Sequence, residues 1–392
     1  MTEKFEVMVG NKAVAYAAKL ARVKFVSAFP ITPQTTIVQY LSEMVANGEL
    51  DAEYINVEGE LTAQASAFTA AAAGVRVFTA TSGPGLLYMH HPMHASSNNR
   101  VPVVMAVVHR GTKGMQTDMS DMMAQRETGW IMLECENSQE ILDTGIMAFK
   151  IAEDDRVRLP CIFAGDGYIL SYTDEPVELP DQAMVDVFLP PYKTKIPLLP
   201  EQGKESRAYQ MELWSIGKDP QYAWMEQQAA MENAKKVIKE VNAEFKKMFG
   251  RGYGNGLVEE YKTKDAEAVL VASGTIASTA RVAIDRLQAE GKKVGLVKLK
   301  AYKPFPAEDF QKIAPKVKAM GIVDRNISLG TGGWAFSEIR HAIYEAEERP
   351  KTLQFHAGLS GKEVRVQDIM KMGEKTLKAA KGGKVSPLVE WV

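Results

Sequence analysis

Residues 54–85 read YINVEGELTAQASAFTAAAAGVRVFTATSGPG and predict a strand, a helix and a second strand in succession. The apolar runs Tyr54–Val57 and Val75–Thr81 have the length and composition of buried strands. The helix between them, Thr62–Ala73, is so rich in Ala, Ser and Thr that it must pack closely against a neighbour. Glu60 lies where the first strand becomes this helix, and a desolvated carboxylate at that point needs a partner. The stretch therefore predicts an α/β unit with a candidate functional carboxylate.

The alternation of strands and helices continues along the first half of the chain. Short apolar runs rich in β-branched residues are separated by helix candidates, a pattern typical of a parallel sheet covered on both faces. Outside the opening stretch, the predicted strands are residues 25–28, 101–108, 131–135 and 160–164. The predicted helices are residues 11–21, 37–46, 86–95, 119–127 and 138–152. We therefore expect a first α/β domain over residues 1–185.

Residues 186–260 interrupt this alternation. From Pro190 to Trp214 prolines recur without a clean period, which predicts a crossing linker. A long amphipathic helix follows from Gln221 to Phe249 and ends at the glycines of GRGYGNG. Short strands then alternate with helices again through residues 261–392. The predicted fold class is therefore α/β, with two successive parallel-sheet domains.

The composition of the 392-residue chain argues against several classes of partner. The net charge is −2 and no dense Lys/Arg stripe occurs, so we expect no binding to nucleic acid. The N-terminus has no uninterrupted apolar segment and no run of 18 apolar residues occurs, so we expect a cytoplasmic protein without membrane insertion. Cys135 and Cys161 are the only cysteines, so this chain alone cannot bind a four-cysteine iron–sulfur cluster. We expect both thiols to be buried and unpaired.

Three histidines are clustered in YMHHPMHASS, at positions 90, 91 and 94. His90 and His94 could share one face of a helix, but Pro92 weakens that interpretation. The HExxH pattern of zinc enzymes is absent. We therefore expect packing or pocket polarity from these side chains, and no metal site.

Seven stretches in order along the chain carry a family resemblance. They read FPITPQT, VEGELTAQASAFTAAAAG, FTATSGPGL, VPVVMAVVHRG, QRETGW, VLVASGTIASTA…AYKPFP and VDRNISLG. Together they resemble the α subunit of 2-oxoacid:ferredoxin oxidoreductases, of which pyruvate:ferredoxin oxidoreductase is the best-known member. The resemblance implies that residues 1–185 form a pyrimidine-type thiamine diphosphate-binding domain. It also implies that residues 261–392 form a domain similar to the C-terminal domain of transketolase.

The resemblance implies a cofactor shared between chains. In such enzymes the α subunit supplies the pyrimidine half of the thiamine diphosphate site, and a β subunit brings the half that holds diphosphate and Mg²⁺. The [4Fe-4S] clusters are then expected in partner subunits, including γ- and δ-type subunits. GDG at residues 165–167 could open a diphosphate motif, but the Asn that closes this motif in thiamine enzymes is missing. We therefore expect Asp166 to be an ordinary residue of a strand-end turn.

The resemblance also assigns roles to individual residues. Glu60 matches the carboxylate that contacts N1′ of the aminopyrimidine ring and so promotes loss of the C2 proton. Glu58 is the rival for this role. Thr32, held in a Pro-Ile-Thr-Pro turn, and Arg110, at the end of an apolar strand, match the positions that hold the substrate carboxylate. Further cofactor contacts are expected from Pro30, Ile31 and Ser82.

The predicted activity is the CoA-dependent oxidative decarboxylation of a 2-oxoacid to acyl-CoA and CO₂. Electrons would pass through partner clusters to ferredoxin or another acceptor. The segment after Arg110 departs from the family and carries four methionines at positions 115–123, which either fill the core or contact a bulky substrate. Pyruvate, branched-chain oxoacids and aromatic ones such as phenylglyoxylate all remain open. The alternatives are a lipoamide-dependent dehydrogenase component and a non-catalytic scaffold subunit.

Overall fold

A computed structural model describes residues 4–194, 220–384 and 389–392. Residues 195–214 of the predicted crossing linker lie outside this range. Within the described residues the chain forms three sheets, of two, six and seven strands. No helix in these ranges is long and apolar enough to cross a membrane.

The first part of the chain, up to Phe188, alternates strands and helices. Its strands are β1 (Lys4–Val9), β2 (Phe25–Ala28), β3 (Glu53–Asn56), β4 (Val77–Thr81), β5 (Val104–His109), β6 (Ile131–Glu134), β7 (Cys161–Asp166) and β8 (Asp174–Leu179). Its helices are α1 (Gly10–Leu20), α2 (Thr35–Ala46), α3 (Glu60–Ala72), α4 (Gly83–Tyr88), α5 (His90–Asn98), α6 (Ser120–Met123), α7 (Ser138–Glu153) and α8 (Gln182–Phe188).

The second part of the chain begins with the predicted long helix and continues the alternation. Its strands are β9 (Val258–Tyr261), β10 (Ala268–Ala272), β11 (Val294–Leu299), β12 (Ala301–Lys303), β13 (Ala319–Asp324), β14 (Lys351–His356) and β15 (Val389–Trp391). Its helices are α9 (Pro220–Phe249), α10 (Gly274–Ala289), α11 (Ala307–Ile313), α12 (Trp334–Ala342) and α13 (Val366–Ala380).

The larger sheet has the strand order β12-β6-β7-β5-β4-β2-β3 in the described residues. All neighbouring strands are parallel except β12 and β6. Every residue of the central strands β4, β5 and β7 is buried, as expected for strands covered by helices on both faces. Because β2, β3, β4 and β5 run parallel, the residues that follow them lie at one edge of the sheet. The predicted α/β class is thereby confirmed.

The second sheet has the order β15-β14-β13-β10-β11-β9, and β9 is its antiparallel strand. Helices α10 and α13 pack on each other and bury Ile276, Ile284 and Ile369 against this sheet. A separate antiparallel pair, β1 with β8, was not predicted. In β1, Phe5 and Val7 are exposed, and Val177 is the one fully buried residue of β8, so neither strand has the apolar pattern of the core strands.

The two halves of the chain share one sheet. Strand β12 follows β11 of the second sheet, yet it pairs antiparallel with β6 of the first sheet, and Ala301 lies opposite Leu133. Its backbone neighbour Lys300 accepts a hydrogen bond from the Glu134 amide. The sequence predicted two successive units and did not predict this exchange, because a three-residue strand leaves no periodic signal.

Two local predictions in the first half are wrong. The helix predicted over residues 86–95 is two helices, α4 and α5, and the helix predicted over 119–127 shrinks to α6. Pro92 lies in the first turn of α5 and does not prevent a helix at the histidine cluster. A proline is tolerated there because the first amide groups of a helix have no partner within the helix.

Candidate active site

Glu60 is the first residue of α3 and is 9% exposed. Its carboxylate makes no hydrogen bond within residues 4–194, 220–384 and 389–392. The rival carboxylate, Glu58, is exposed and accepts a hydrogen bond from the Thr62 hydroxyl. That hydrogen bond lowers the pKa of Glu58. Of the two, only Glu60 is both buried and left free to bind a ligand.

The first turn of α4 makes room for the Glu60 carboxylate. A Cβ atom at Gly85 would lie 2.5 Å from Glu60 Oε1 and 2.7 Å from Thr81 Oγ1, so any larger residue there would displace the Glu60 carboxylate. Thr81 Oγ1 is buried and has no hydrogen-bond partner in the described parts of the chain. A free carboxylate and a free hydroxyl thus border the same glycine, and these polar groups fit a ligand that offers a donor, such as an aminopyrimidine ring.

The Pro-Ile-Thr-Pro turn lies at the same edge of the sheet, after β2. Gln34 Nε2 donates to the Ala80 carbonyl at 3.0 Å, and Asn11 Nδ2 donates to the Pro33 carbonyl at 2.8 Å. The turn is therefore fixed to α1 and to β4. Thr32 is exposed, so its hydroxyl is available to a ligand.

Arg110 follows β5 and lies against both neighbouring loops. Its Nη1 donates to the Thr32 carbonyl at 3.1 Å. Its Cβ, Cγ and Cδ lie 3.1 Å from the position of a Cβ at Gly83, so the side chain packs over that glycine. Arg110 Nε is buried and has no partner in the described residues. The structure thus brings Arg110 and Thr32 together, next to the turn that leads from Gly83 to Gly85.

The three predicted cofactor contacts are placed differently. Pro30 is exposed and Ile31 is half-buried in the same turn as Thr32. Ser82 is fully buried, and its hydroxyl donates to the Val108 carbonyl. This hydrogen bond joins β4 to β5 and does not favour a side-chain contact to a ligand, so the role of Ser82 stays a prediction.

Behind Arg110 lie three buried ionisable residues, His109, Asp121 and Glu134, which we call the His109 cluster. His109 Nδ1 lies 2.9 Å from Asp121 Oδ1, and His109 Nε2 lies 2.8 Å from Glu134 Oε2. Burial lowers the pKa of His109, but Glu134 and Asp121 outweigh it and hold this pKa well above its ordinary value. Burial raises the pKa of Glu134 to about 7, against the opposing effect of His109. The imidazolium form is therefore favoured.

Asp166 of the GDG triplet links this edge to the second half of the chain. Its Oδ1 lies 2.6 Å from Arg325 Nη1, and its Oδ2 accepts a hydrogen bond from the Thr275 amide at 3.0 Å. Burial would raise the pKa of Asp166, but Arg325 and His109 lower it. Asp166 is thus one partner of a buried ion pair between the two halves, and not the ordinary turn residue that the sequence suggested.

The remaining candidates from the sequence are accounted for by packing. The rings of His90 and His94 lie 4.9 Å apart, and His90 Nδ1 lies 2.6 Å from Gln125 Oε1. The described residues contain no group of three or more His, Cys, Asp or Glu placed to hold a metal ion. Both cysteines are buried and unpaired, as predicted.

Most of the methionines after Arg110 belong to the core. Met119, Met122 and Met123 are buried in the core between the two halves of the chain, whereas Met115 is 51% exposed. Of the four, only Met115 can therefore contact a ligand at the surface. The core-filling alternative holds for the other three.

Two family profiles match most of the chain. The first, described as "Pyruvate flavodoxin/ferredoxin oxidoreductase, thiamine diP-bdg", matches residues 16–243, and "Pyruvate:ferredoxin oxidoreductase core domain II" matches residues 266–369. The chain belongs to the 2-oxoacid:ferredoxin oxidoreductase family. Within this family it is an α-type subunit of an enzyme, and its first profile is a thiamine diphosphate-binding one. The resemblance found in the sequence is confirmed.

Two similar proteins cover almost the full chain. The "Pyruvate synthase subunit PorA" of Pyrococcus furiosus is 42% identical over 390 residues, which are 99% of this chain and 97% of that protein. The "Ketoisovalerate oxidoreductase subunit VorA" of Pyrococcus horikoshii is 38% identical over 391 residues, 98% of this chain and 97% of that protein. Both are subunits of larger oxidoreductases, so family members of this type work with partner subunits.

Two solved structures share the fold at low identity. A 2-oxoglutarate:ferredoxin oxidoreductase from Magnetococcus marinus superposes with a TM-score of 0.68 at 19% identity. The match covers 96% of this chain and 66% of that one. A split-gene transketolase superposes with a TM-score of 0.54 at 12% identity, over 95% of this chain and 99% of that one. These likenesses support the architecture of two α/β units.

The sequence identified the polar residues at the strand ends but missed those that hold them. Thr81 and Gly85 were part of the quoted stretch, and the pair of hydroxyl residues Thr81 and Ser82 before Gly-Pro-Gly was the available signal. His109 and Asp121 gave no signal of their own. Only the pairing of β5 with β7 and of β7 with β6 shows that His109 and Glu134 lie close together.

Proposed function

We propose that this chain supplies the pyrimidine half of a thiamine diphosphate site for the CoA-dependent oxidative decarboxylation of a 2-oxoacid. The observation that carries the proposal is the free, buried carboxylate of Glu60 beside Gly85, at the same sheet edge as Arg110 and Thr32. One group to hold a proton and one cation to hold a carboxylate are what this reaction requires of a protein.

Glu60 holds a proton at N1′ of the aminopyrimidine ring. Thiamine diphosphate supplies a thiazolium carbon that becomes a nucleophile once its proton has left. Glu60 suits its task because its carboxylate has no competing hydrogen bond within the described residues and is shielded from water. Thr81 Oγ1, which also has no partner in the described residues, offers a second hydrogen bond beside it.

Arg110 and Thr32 hold the carboxylate of the substrate. Arg110 Nη1 donates a hydrogen bond to the Thr32 carbonyl, and this contact orients the guanidinium. A guanidinium can bind a carboxylate through two parallel hydrogen bonds, so the remaining donors can orient the oxoacid. The exposed Thr32 hydroxyl is placed to add a further bond.

The other half of the site comes from a partner chain. Leu61, Leu87 and Tyr88 are exposed large hydrophobic residues next to Glu60 and Gly85 in the sequence, as expected for a surface that a partner covers. We assign diphosphate and Mg²⁺ binding to a β subunit, and [4Fe-4S] clusters to partner subunits of β, γ and δ type. Two buried cysteines are too few for a four-cysteine cluster in this chain. Ferredoxin or another acceptor receives the electrons.

Small 2-oxoacids are the favoured substrates. Two relatives that cover almost the full chain are named for pyruvate and for ketoisovalerate, and their identities of 42% and 38% are too similar to decide between them. The argument for an aromatic substrate such as phenylglyoxylate rested on the methionines, three of which are buried in the core. Pyruvate and 2-oxoisovalerate are therefore the two candidates, ahead of phenylglyoxylate.

A substrate panel on the purified complex tests this function. CoA-dependent reduction of an acceptor is measured with pyruvate, 2-oxoisovalerate, 2-oxoglutarate and phenylglyoxylate, for the wild type and for Arg110→Ala. We expect turnover of one of the first two and a loss on the order of 10²-fold in kcat/KM for the variant. Unchanged turnover in Arg110→Ala would favour a scaffold role for this chain. Purification with a lipoyl-bearing partner instead of iron–sulfur subunits would favour the lipoamide-dependent alternative.

A further inference from the structure

Asp121 binds the backbone of both segments that form the candidate site. Its Oδ2 accepts hydrogen bonds from the amides of Gly83, at 3.1 Å, and of Arg110, at 3.0 Å. Its Oδ1 accepts from the Met122 amide at 2.8 Å and from His109 Nδ1 at 2.9 Å. The side chain is completely buried, and each of its oxygens accepts two hydrogen bonds.

The two amides bound by Oδ2 belong to different segments, the first turn of α4 and the residue that follows β5. Gly83 begins the turn that ends at Gly85, where the Glu60 carboxylate lies, and it has a left-handed φ of 47°. Arg110 follows β5 and carries the guanidinium that contacts Thr32. This one carboxylate oxygen therefore ties the first turn of α4 to the residue that follows β5, and so helps to fix the separation of Glu60 from the Arg110 guanidinium.

His109 fixes the orientation of Asp121. Its ring is fully buried between Asp121 and Glu134, and each ring nitrogen faces a carboxylate oxygen. Glu134 is the last residue of β6 and its amide is bound to the Lys300 carbonyl, so the far end of the cluster is anchored in the shared sheet. The Asp121 carboxylate cannot rotate without breaking hydrogen bonds to three segments of the chain.

We propose that Asp121 is a positioning residue for the reaction. It places the Arg110 guanidinium and the Gly83–Gly85 turn at a fixed separation, so that the substrate carboxylate and the cofactor ring meet in a reactive arrangement. This role rests on the proposed function. It differs from general support of the fold because its effect passes through Arg110.

The carboxylate cannot be replaced by an amide at this position. Asn has one oxygen and one NH₂ group, whereas all four partners of Asp121 are N–H donors. In Asp121→Asn the NH₂ group would face either the amides of Gly83 and Arg110 or the donors of His109 and Met122. A displacement of about 1 Å between reacting groups costs on the order of 10²-fold in rate.

A double-mutant cycle on the assembled complex tests the proposal. Asp121→Asn should lower kcat/KM for the 2-oxoacid on the order of 10²-fold and raise KM for the 2-oxoacid, with KM for CoA unchanged. In an Arg110→Ala background the same substitution should lower kcat/KM by less than about threefold, because the group that it positions is already gone.

Asp143→Asn is the matched control. Asp143 is also fully buried, and its carboxylate binds Arg251 and the Tyr253 hydroxyl away from the site. This variant should reduce stability and leave KM for the 2-oxoacid unchanged. If Asp121→Asn fails to assemble, His109→Gln takes its place in the cycle. This substitution leaves both hydrogen bonds to Asp121 Oδ2 intact and removes the imidazole that donates to Asp121 Oδ1.

The outcomes of the cycle distinguish failure of the positioning role from failure of the proposed function. Equal losses from Asp121→Asn with and without Arg110 would overturn the positioning role, as would a KM for the 2-oxoacid that changes no more than in Asp143→Asn. In both cases a wild-type complex that oxidises a 2-oxoacid leaves the proposed function in place. A wild-type complex that turns over no 2-oxoacid would overturn the proposed function together with the positioning role.

Discussion

Two of the buried ionic clusters in the described residues differ in how their charges are balanced. The first, which we call the Glu140 cluster, consists of Glu136, Glu140, Lys298 and Lys300. The Glu140 carboxylate lies 2.6 Å from Lys298 Nζ and 2.7 Å from Lys300 Nζ, and Glu136 Oε1 lies 3.2 Å from Lys298 Nζ. Burial would raise the pKa of Glu140, but these two ammonium groups hold it well below its ordinary range. In the His109 cluster, one imidazolium lies between two carboxylates, and Glu134 Oε1 has no hydrogen-bond partner in the described residues.

The difference separates a structural role from a functional one. The Glu140 cluster joins α7 to β11 and its neighbour, with each charge compensated, so its contribution is to hold the two halves together. The His109 cluster lies directly behind the candidate site and keeps an uncompensated oxygen. Incomplete compensation costs stability, and such costs are retained where a site needs them.

Removal of Glu140 is expected to give the largest effect on stability. Glu140→Ala leaves two buried ammonium groups without their shared carboxylate, which should cost about 3–5 kcal/mol in the free energy of unfolding. Urea denaturation of the full chain measures this loss. Protein that does assemble should keep its KM for the 2-oxoacid, since Glu140 contacts none of the site residues. A loss below about 1 kcal/mol would contradict the structural role of this cluster.

Gly85→Ala tests the space that the site leaves for Glu60. The new Cβ would lie 2.5 Å from Glu60 Oε1, so the carboxylate must move. We expect a loss on the order of 10²-fold in kcat, with little change in stability. Gly59→Ala is the control, because its Cβ would meet only Tyr88 Cε1, at 3.6 Å. Equal activity of the two variants would show that the position of the carboxylate does not matter.

Glu134→Gln is expected to have a smaller, pH-dependent effect on stability. Burial raises the pKa of Glu134 from 4.5 to about 7, so the unfolded chain loses this proton at lower pH than the folded chain. Between these values the free energy of unfolding of the wild type falls as pH rises. The variant does not titrate, so its stability relative to wild type should increase by roughly 1–3 kcal/mol from about pH 5 to about pH 8. Urea denaturation at several pH values measures this, and a constant difference would contradict it.

The sequence was sufficient where the signal is local. The period of the apolar residues predicted the alternating elements, and the positions of Thr32, Glu60 and Arg110 at strand ends pointed to one edge of a parallel sheet. The boundaries of α3 and β4 were predicted to within two residues. The family resemblance supplied the cofactor, which no periodicity could indicate.

The parts that escaped prediction depend on contacts between distant segments. Strand β12 joins the first sheet although it directly follows a strand of the second. Asp121 was not a candidate from the sequence, because its four donors come from three separate places in the chain. Asp166 acquires its role only from Arg325 and Thr275 in the other half.

The most direct test of the central claim is the exchange of the C2 proton on thiamine diphosphate bound to the assembled complex. Quenched samples in D₂O, followed by proton NMR, give this rate without any 2-oxoacid. With Glu60→Gln the rate should fall on the order of 10²–10⁴-fold, whereas Glu58→Gln should exchange at the wild-type rate. Wild-type exchange in Glu60→Gln would contradict the assignment of Glu60, and with it the proposal that this chain supplies the pyrimidine half of the site.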